Sequence, residues 1–219
     1  MKWIYLAAGL LFFFKIILLP NPTSQQSFPI VELIVQDTGV INAVSGVIFR
    51  NRLYDTVFEV VVFTIAIMGV RYLLANEPLS TKIDQFSDPP SRLLAQLGAT
   101  IAAIVGIELA IRGHLSPGGG FAAGVAGGTA IGLIAMTSSP EAMQSIYHRW
   151  HAETWEKVTV LIFIVLSVLT LSGIELPQGQ LGAPLSGGII PILNILVAIK
   201  VALGAWAAVL SFIRYRGLL

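Results

Sequence analysis

The sequence predicts an all-α integral membrane protein with about six transmembrane helices and a re-entrant or interfacial segment. Three observations lead there. Of 219 residues, 55% are hydrophobic and only 11% charged, with a mean hydropathy of +0.82, far from the balance of a water-soluble domain. Apolar runs long enough to cross a hydrocarbon core of about 30 Å recur along the chain. Within one of them Gly120, Gly124, Gly128 and Gly132 stand four residues apart, just after Gly118 and Gly119. At helical geometry that spacing clears one face for close approach of a neighbouring helix. In water so many glycines would weaken the helix. In a bilayer the backbone has no competing solvent, so the helix persists and its bare face becomes a packing surface.

The expected spans are 3–19, 56–74, 93–111, 118–136, 158–174 and 189–213. The first reads as a retained helix rather than a secretory signal, because it lacks a small-residue cleavage site and ends at Pro20-Asn21-Pro22. Residues 28–50 are apolar yet carry Glu32, Asp37, Gly39 and Gly46. They fit a segment that enters or lies on the membrane without crossing it. The polar, proline-containing stretch 76–92 reads as a cytoplasmic linker between a two-helix unit, 1–75, and a four-helix unit, 93–219. Loop 138–156 is expected to form a short amphipathic helix, with Glu153 placed to pair with Lys157 one turn on.

Orientation follows from basic residues. Lys2, Arg71, Lys82, Arg92, Arg149, Lys157, Arg214 and Arg216 fall on one side, against Arg50, Arg52 and Arg112 on the other, and loop 175–188 has neither lysine nor arginine. The positive-inside rule then puts both termini in the cytoplasm. Tyr147, Trp150, Trp155 and Tyr215 sit near span ends, where amphipathic rings favour the interface.

Composition also excludes. A net charge of +1 argues against nucleic acid. The absence of cysteine removes disulfides, thiolate metal sites and cysteine nucleophiles. His114, His148 and His151 are too scattered for a metal site, and no cofactor is expected. The glycine-rich turn lacks the GxxxxGK[ST] pattern and a leading strand, so packing explains it better than phosphate binding. With no nucleophile–base pair visible, a stand-alone enzyme is not expected.

Several charges lie where lipid contact does not explain them. Lys200 falls near the middle of the last span, where an ionised lysine costs roughly 2.5–3.5 kcal/mol. Either its stem snorkels to an interface, or it faces the bundle or a partner subunit beside a carboxylate. Asn194 lies one to two turns earlier, on a different face. Asp55 and Glu59 share a helical face just inside the second span, an arrangement suited to proton relay. Equally, Asp55 can cap the helix and pair with Arg52 while Glu59 reaches back to the interface. Glu108 and Arg112 have the order and spacing of a helical ion pair. His114, in a helix-ending turn, is placed to titrate near neutral pH, to cap the preceding helix or to bond a nearby carbonyl. Lys15 is most simply a snorkelling residue.

The run RGHLSPGGGFAAGVAGG, residues 112–128, resembles the signature turn of the MnhB (MrpB) subunit of Mrp-type multisubunit sodium/proton antiporters. Residues 37–74 are similar to the hydrogenase-type MbhE-like segment often attached to the large antiporter subunit. There Asp55-Thr56-Val57-Phe58-Glu59 carries Phe58 where that pattern has glycine. The two likenesses suggest a fusion of modules joined at the linker. They imply a subunit of a hetero-oligomeric complex in a prokaryotic plasma membrane, exchanging sodium or another monovalent cation for protons. The ion-path candidates are then Asp55, Glu59, Lys200, Glu108 and His114, with the glycines as helix-packing positions. A purely structural scaffold is the rival reading. The equivalent subunit of a membrane-bound hydrogenase or sulfur reductase complex is another.

Overall fold

The computed structural model describes residues 29–80, 83 and 85–217, together with Leu10, Phe13, Phe14, Ile17 and Leu18. The expected first span, 3–19, lies largely outside the described residues, and Lys15 with it. The chain divides into two compact units after Ile30, and the second, Val31–Leu219, holds all the long helices among the described residues.

Helix α1, Ile30–Thr38, and helix α2, Ala43–Asn51, meet at a 65° bend. Gly39, at φ +67, turns the chain there. Asn42 caps α2 by accepting from the Val44 and Ser45 amides at 3.2 and 3.4 Å. The second half of α2, Val47–Asn51, is wound as a π-helix. The segment expected to be re-entrant or interfacial is therefore a broken helical pair.

Helix α3 covers Leu53–Leu74 and α4 covers Pro89–Arg112. Asp88 caps α4 by accepting from the Ser91 amide at 3.0 Å, and prolines open its first turn, where no backbone N–H is needed. Helix α5 covers Gly120–Ala135, α6 Pro140–Arg149, α7 Ala152–Leu171 and α8 Ile190–Arg216. Among the described residues, α3, α4, α7 and α8 are long and apolar enough to cross a membrane, and the α1–α2 pair would make a fifth span. Helix α5 is apolar but has 16 residues, about 24 Å of helix. It begins two residues later than the expected 118–136 because Gly118 and Gly119 have φ of +147 and +115, outside the helical region.

The expected helix in loop 138–156 is present only as α6. It ends where His151 takes a left-handed φ of +48, and α7 starts at Ala152. Glu153, Glu156 and Lys157 thus belong to a long apolar helix, not to a loop.

Helix α8 is the hub. It packs on α3, α4, α5, α6 and α7 and is the most buried of the four long apolar helices, with α4 the least. At one end of the bundle, the 113–119 turn, the α1–α2 break and loop 175–188 are tied together. Asn42 donates to the Gly113 and Ser116 carbonyls at 2.8 and 2.9 Å, and Gln178 donates to the Asp37 carbonyl at 2.7 Å. Arg50 pairs with Glu175 at 2.5 Å across the same end. At the opposite end, the Ser80 amide donates to the Arg214 carbonyl, and Arg71 pairs with Glu153 at 3.1 Å.

Candidate functional site

The buried face of α7 carries Ala152, Glu156, Thr159, Phe163, Ser167 and Thr170, a polar stripe at helical spacing on an otherwise apolar helix. Thr159, Ser167 and Thr170 return their hydroxyls to carbonyls of the preceding turn, at 2.7 to 2.9 Å. A carboxylate has no proton to give those carbonyls and needs a donor. Glu156 instead faces Lys200 of α8, with Oε1 and Nζ 3.8 Å apart and side chains 8% and 1% exposed. The Lys200 ammonium also stands over the Phe63 ring of α3, 3.9 Å from its centroid, and Phe121 of α5 braces that ring edge-on at 6.0 Å. Four helices therefore build one site.

Lys200 is held away from lipid and solvent, so the snorkelling alternative does not apply. Its carboxylate partner is Glu156. At 3.8 Å the two charges attract without a close hydrogen bond, and Nζ has no hydrogen-bond partner among the described residues. The ring face supplies the remaining attraction for the cation. Gly204, one turn beyond Lys200, leaves room for the pair. A Cβ there would stand 2.7 Å from the Phe63 ring and 3.2 Å from Glu156 Oε1.

The other expected site residues are placed differently. Glu59 is exposed and lines a separate cavity of about 120 Å³ with Gly118, Gly119 and Gly120. Asp55 accepts from Arg52 Nε at 2.6 Å, the local pairing that was one of its two readings. Glu108 and Arg112 pair at 2.9 Å on an exposed surface, and Glu153 pairs with Lys157 at 2.9 Å as expected. His114 is fully buried in the turn. Its Nε2 donates to the Pro184 carbonyl at 3.1 Å, while Nδ1 has no partner among the described residues. Burial lowers the His114 pKa, and the Pro184 carbonyl opposes that shift.

The glycine stripe packs on α8, but not along its whole length. A Cβ on Gly120 or Gly124 would collide with the Asn194 carbonyl or the Val201 side chain, and one on Gly128 would stand 2.7 Å from Ala205 Cβ. Gly132 meets nothing within 4 Å. The row of every fourth residue drifts by about 40° per step, so after three steps it has turned away from its neighbour. Asn194, also fully buried, accepts from the Gly120 amide at 2.8 Å and donates to Ser45 Oγ at 3.3 Å. It caps α5 from another helix and lies on a different face of α8 from Lys200.

Glu156 and Phe63 were not singled out from the sequence, and Tyr147 was read only as an interfacial ring. Glu156 looks like the last residue of a polar loop. The signal that could have found it is its register with Thr159, Ser167 and Thr170, which marks the inward face of α7. Phe63 carried no such mark.

A family model described as a domain related to the MnhB subunit of Na+/H+ antiporter matches residues 90–207. The fold is similar to a chain in the structure of the membrane-bound sulfane sulfur reductase (MBS), an archaeal respiratory membrane complex. That likeness has a TM-score of 0.77 and 25% identity over 97% of this chain and 96% of the other. It is also similar to part of a chain in the structure of the Mrp complex from Dietzia sp. DQ12-45-1b. There the TM-score is 0.66, with 18% identity over 96% of this chain and 25% of the other. Among curated proteins none matches.

Proposed function

The chain belongs to the MnhB family, and we propose that it is a subunit of a multisubunit monovalent cation/proton antiporter-type complex. Its setting is a prokaryotic plasma membrane, and its own contribution to the ion path is the Glu156–Lys200 pair. The observation that carries this reading is the pair itself: opposite charges 3.8 Å apart inside the helix bundle. Burying two charges gains little stability over well-packed apolar residues. A protonatable function gives the pair a purpose that packing does not.

The chemistry is simple. With Glu156 ionised, it holds the Lys200 ammonium and the site is neutral. A proton arriving on Glu156 cancels its charge and releases Lys200, whose cation keeps the Phe63 ring as partner. Departure of that proton restores the pair. A proton or a sodium-sized cation can neutralise the carboxylate, one at a time, which is the elementary requirement of exchange. Partner subunits supply the rest of the path.

The test is cation/proton exchange in vesicles carrying the intact complex. Glu156→Gln and Lys200→Met should each lower the rate about tenfold or more, the equivalent of roughly 1.4 kcal/mol of barrier, with subunit co-purification unchanged. Wild-type exchange with normal assembly would instead leave a scaffold. The nearly full-length likeness to the reductase chain favours a second reading, the equivalent subunit of a redox-driven complex. Co-purification with metal-cofactor subunits would select it.

A further inference from the structure

At the bundle end that carries Arg71 and Glu153, the ends of α3, α6, α7 and α8 surround an open cleft of about 530 Å³. Three of its walls lead inward to the buried pair. On α7, Glu153 lines the cleft and Glu156 lies one turn deeper. On α8, Ala207 lines it, Gly204 lies one turn deeper beside Glu156 Oε1, and Lys200 follows. On α3, Arg71 lines it, and Phe63 sits two turns deeper against Lys200. One turn is about 5 Å, so a single layer of side chains separates the cleft from the carboxylate.

That layer is polar where an apolar seal would be expected. Tyr147, on the cleft wall, and Trp206 pack edge to face at 5.2 Å and are 6% and 7% exposed. Among the described residues the Tyr147 hydroxyl and the Trp206 indole nitrogen have no hydrogen-bond partner, and Lys200 Nζ behind them has none. Unmet buried donors are destabilising, and bridging water removes that cost. The Tyr147 pKa is pushed up to about 12, by burial first and then by the negative charge of Glu156, which places the phenol in the field of that carboxylate.

We propose that this cleft is the entry by which water and protons reach Glu156 and Lys200, through the layer formed by Tyr147 and Trp206. The inference rests on the reading of the pair as protonatable and adds the route and the face from which it is served. It also explains the small residue at Gly204, which keeps the layer thin.

Solvent access tests the route without relying on transport. The chain has no cysteine, so Lys200→Cys introduces a unique thiol in this subunit. The thiolate, which forms where water reaches it, attacks the sulfur of a charged methanethiosulfonate reagent, forming a mixed disulfide and releasing methanesulfinate. In the intact complex in sealed vesicles, modification of the subunit should proceed from one membrane face only. It should slow about tenfold when Ser211→Trp fills the cleft. Absence of modification, or a rate that Ser211→Trp leaves unchanged, overturns the route. Should Lys200→Cys fail to assemble, Glu156→Cys gives the same readout. Modification that persists while Glu156→Gln transports normally would sink the proposed function but not the route; the opposite pattern would sink the route alone.

Discussion

His114 illustrates how one residue can be visible in a sequence while its role is not. The histidine sits in a glycine-rich turn, and its type suggests titration near neutral pH. Its burial, and the single hydrogen bond to Pro184 seventy residues away, make it a pin between two loops. Because burial lowers its pKa, the folded protein binds fewer protons at this ring than the unfolded chain does. The corresponding stability is complete above the ordinary histidine value of about 6.5 and is lost as pH falls from there toward the lowered pKa. Thermal unfolding of the purified complex should therefore show a decline in midpoint below about pH 6.5. His114→Gln, which can still donate to the carbonyl, should flatten that decline; an equal decline in both proteins would remove the assignment. Lys200 was conspicuous for the opposite reason. A charge in mid-span requires a partner, but a linear sequence does not say which carboxylate, and Glu59 and Glu156 are both within reach of that argument.

Among the described residues the glycine-striped α5 and the hub α8 form the most extensive helix pairing, and their fit is graded. Small residues let backbones approach, so their value depends on where the neighbour lies. Gly124→Ala places a methyl group against the Val201 side chain and within 2.8 Å of the Ala198 carbonyl. Overpacking of this kind costs about 1–3 kcal/mol. Gly132→Ala meets open space and raises helix propensity. Melting of the complex should fall for the first and hold or rise for the second, and equal behaviour would contradict the observed contact. Periodicity revealed the stripe. The point at which it leaves α8 depends on the drift of the row around the helix and on how the two axes cross.

The bundle is held at one end by a few long-range polar ties across the α1–α2 break, the 113–119 turn and loop 175–188. Asn42 makes the most of these, donating twice to the turn while capping α2. Asn42→Ala should release the break from the turn, by about 1–3 kcal/mol for the carbonyls left without donors. Hydrogen exchange at residues 42–46 and 113–120 of the assembled complex would report it as faster opening there, with the α7–α8 contact unchanged. Uniform exchange across the chain would argue against a local tie. The opposite end is built differently, with a wide cleft between four helix ends.

Composition and the length of the apolar runs alone determine that this is a helical membrane protein, because a continuous apolar run of about 20 residues is the length of a helical span, about twice that of a barrel strand. The 112–128 run also pointed to the MnhB family. Which charges meet is a different matter. Glu156 and Lys200 are 44 residues apart, on helices whose rotation about their own axes is set by packing. A shift of one residue in either would turn the side chain by about 100° and break the pair. Only the tertiary structure decides that Lys200 faces Glu156 and Phe63 rather than Glu59, and that the cleft approaches the pair from one end.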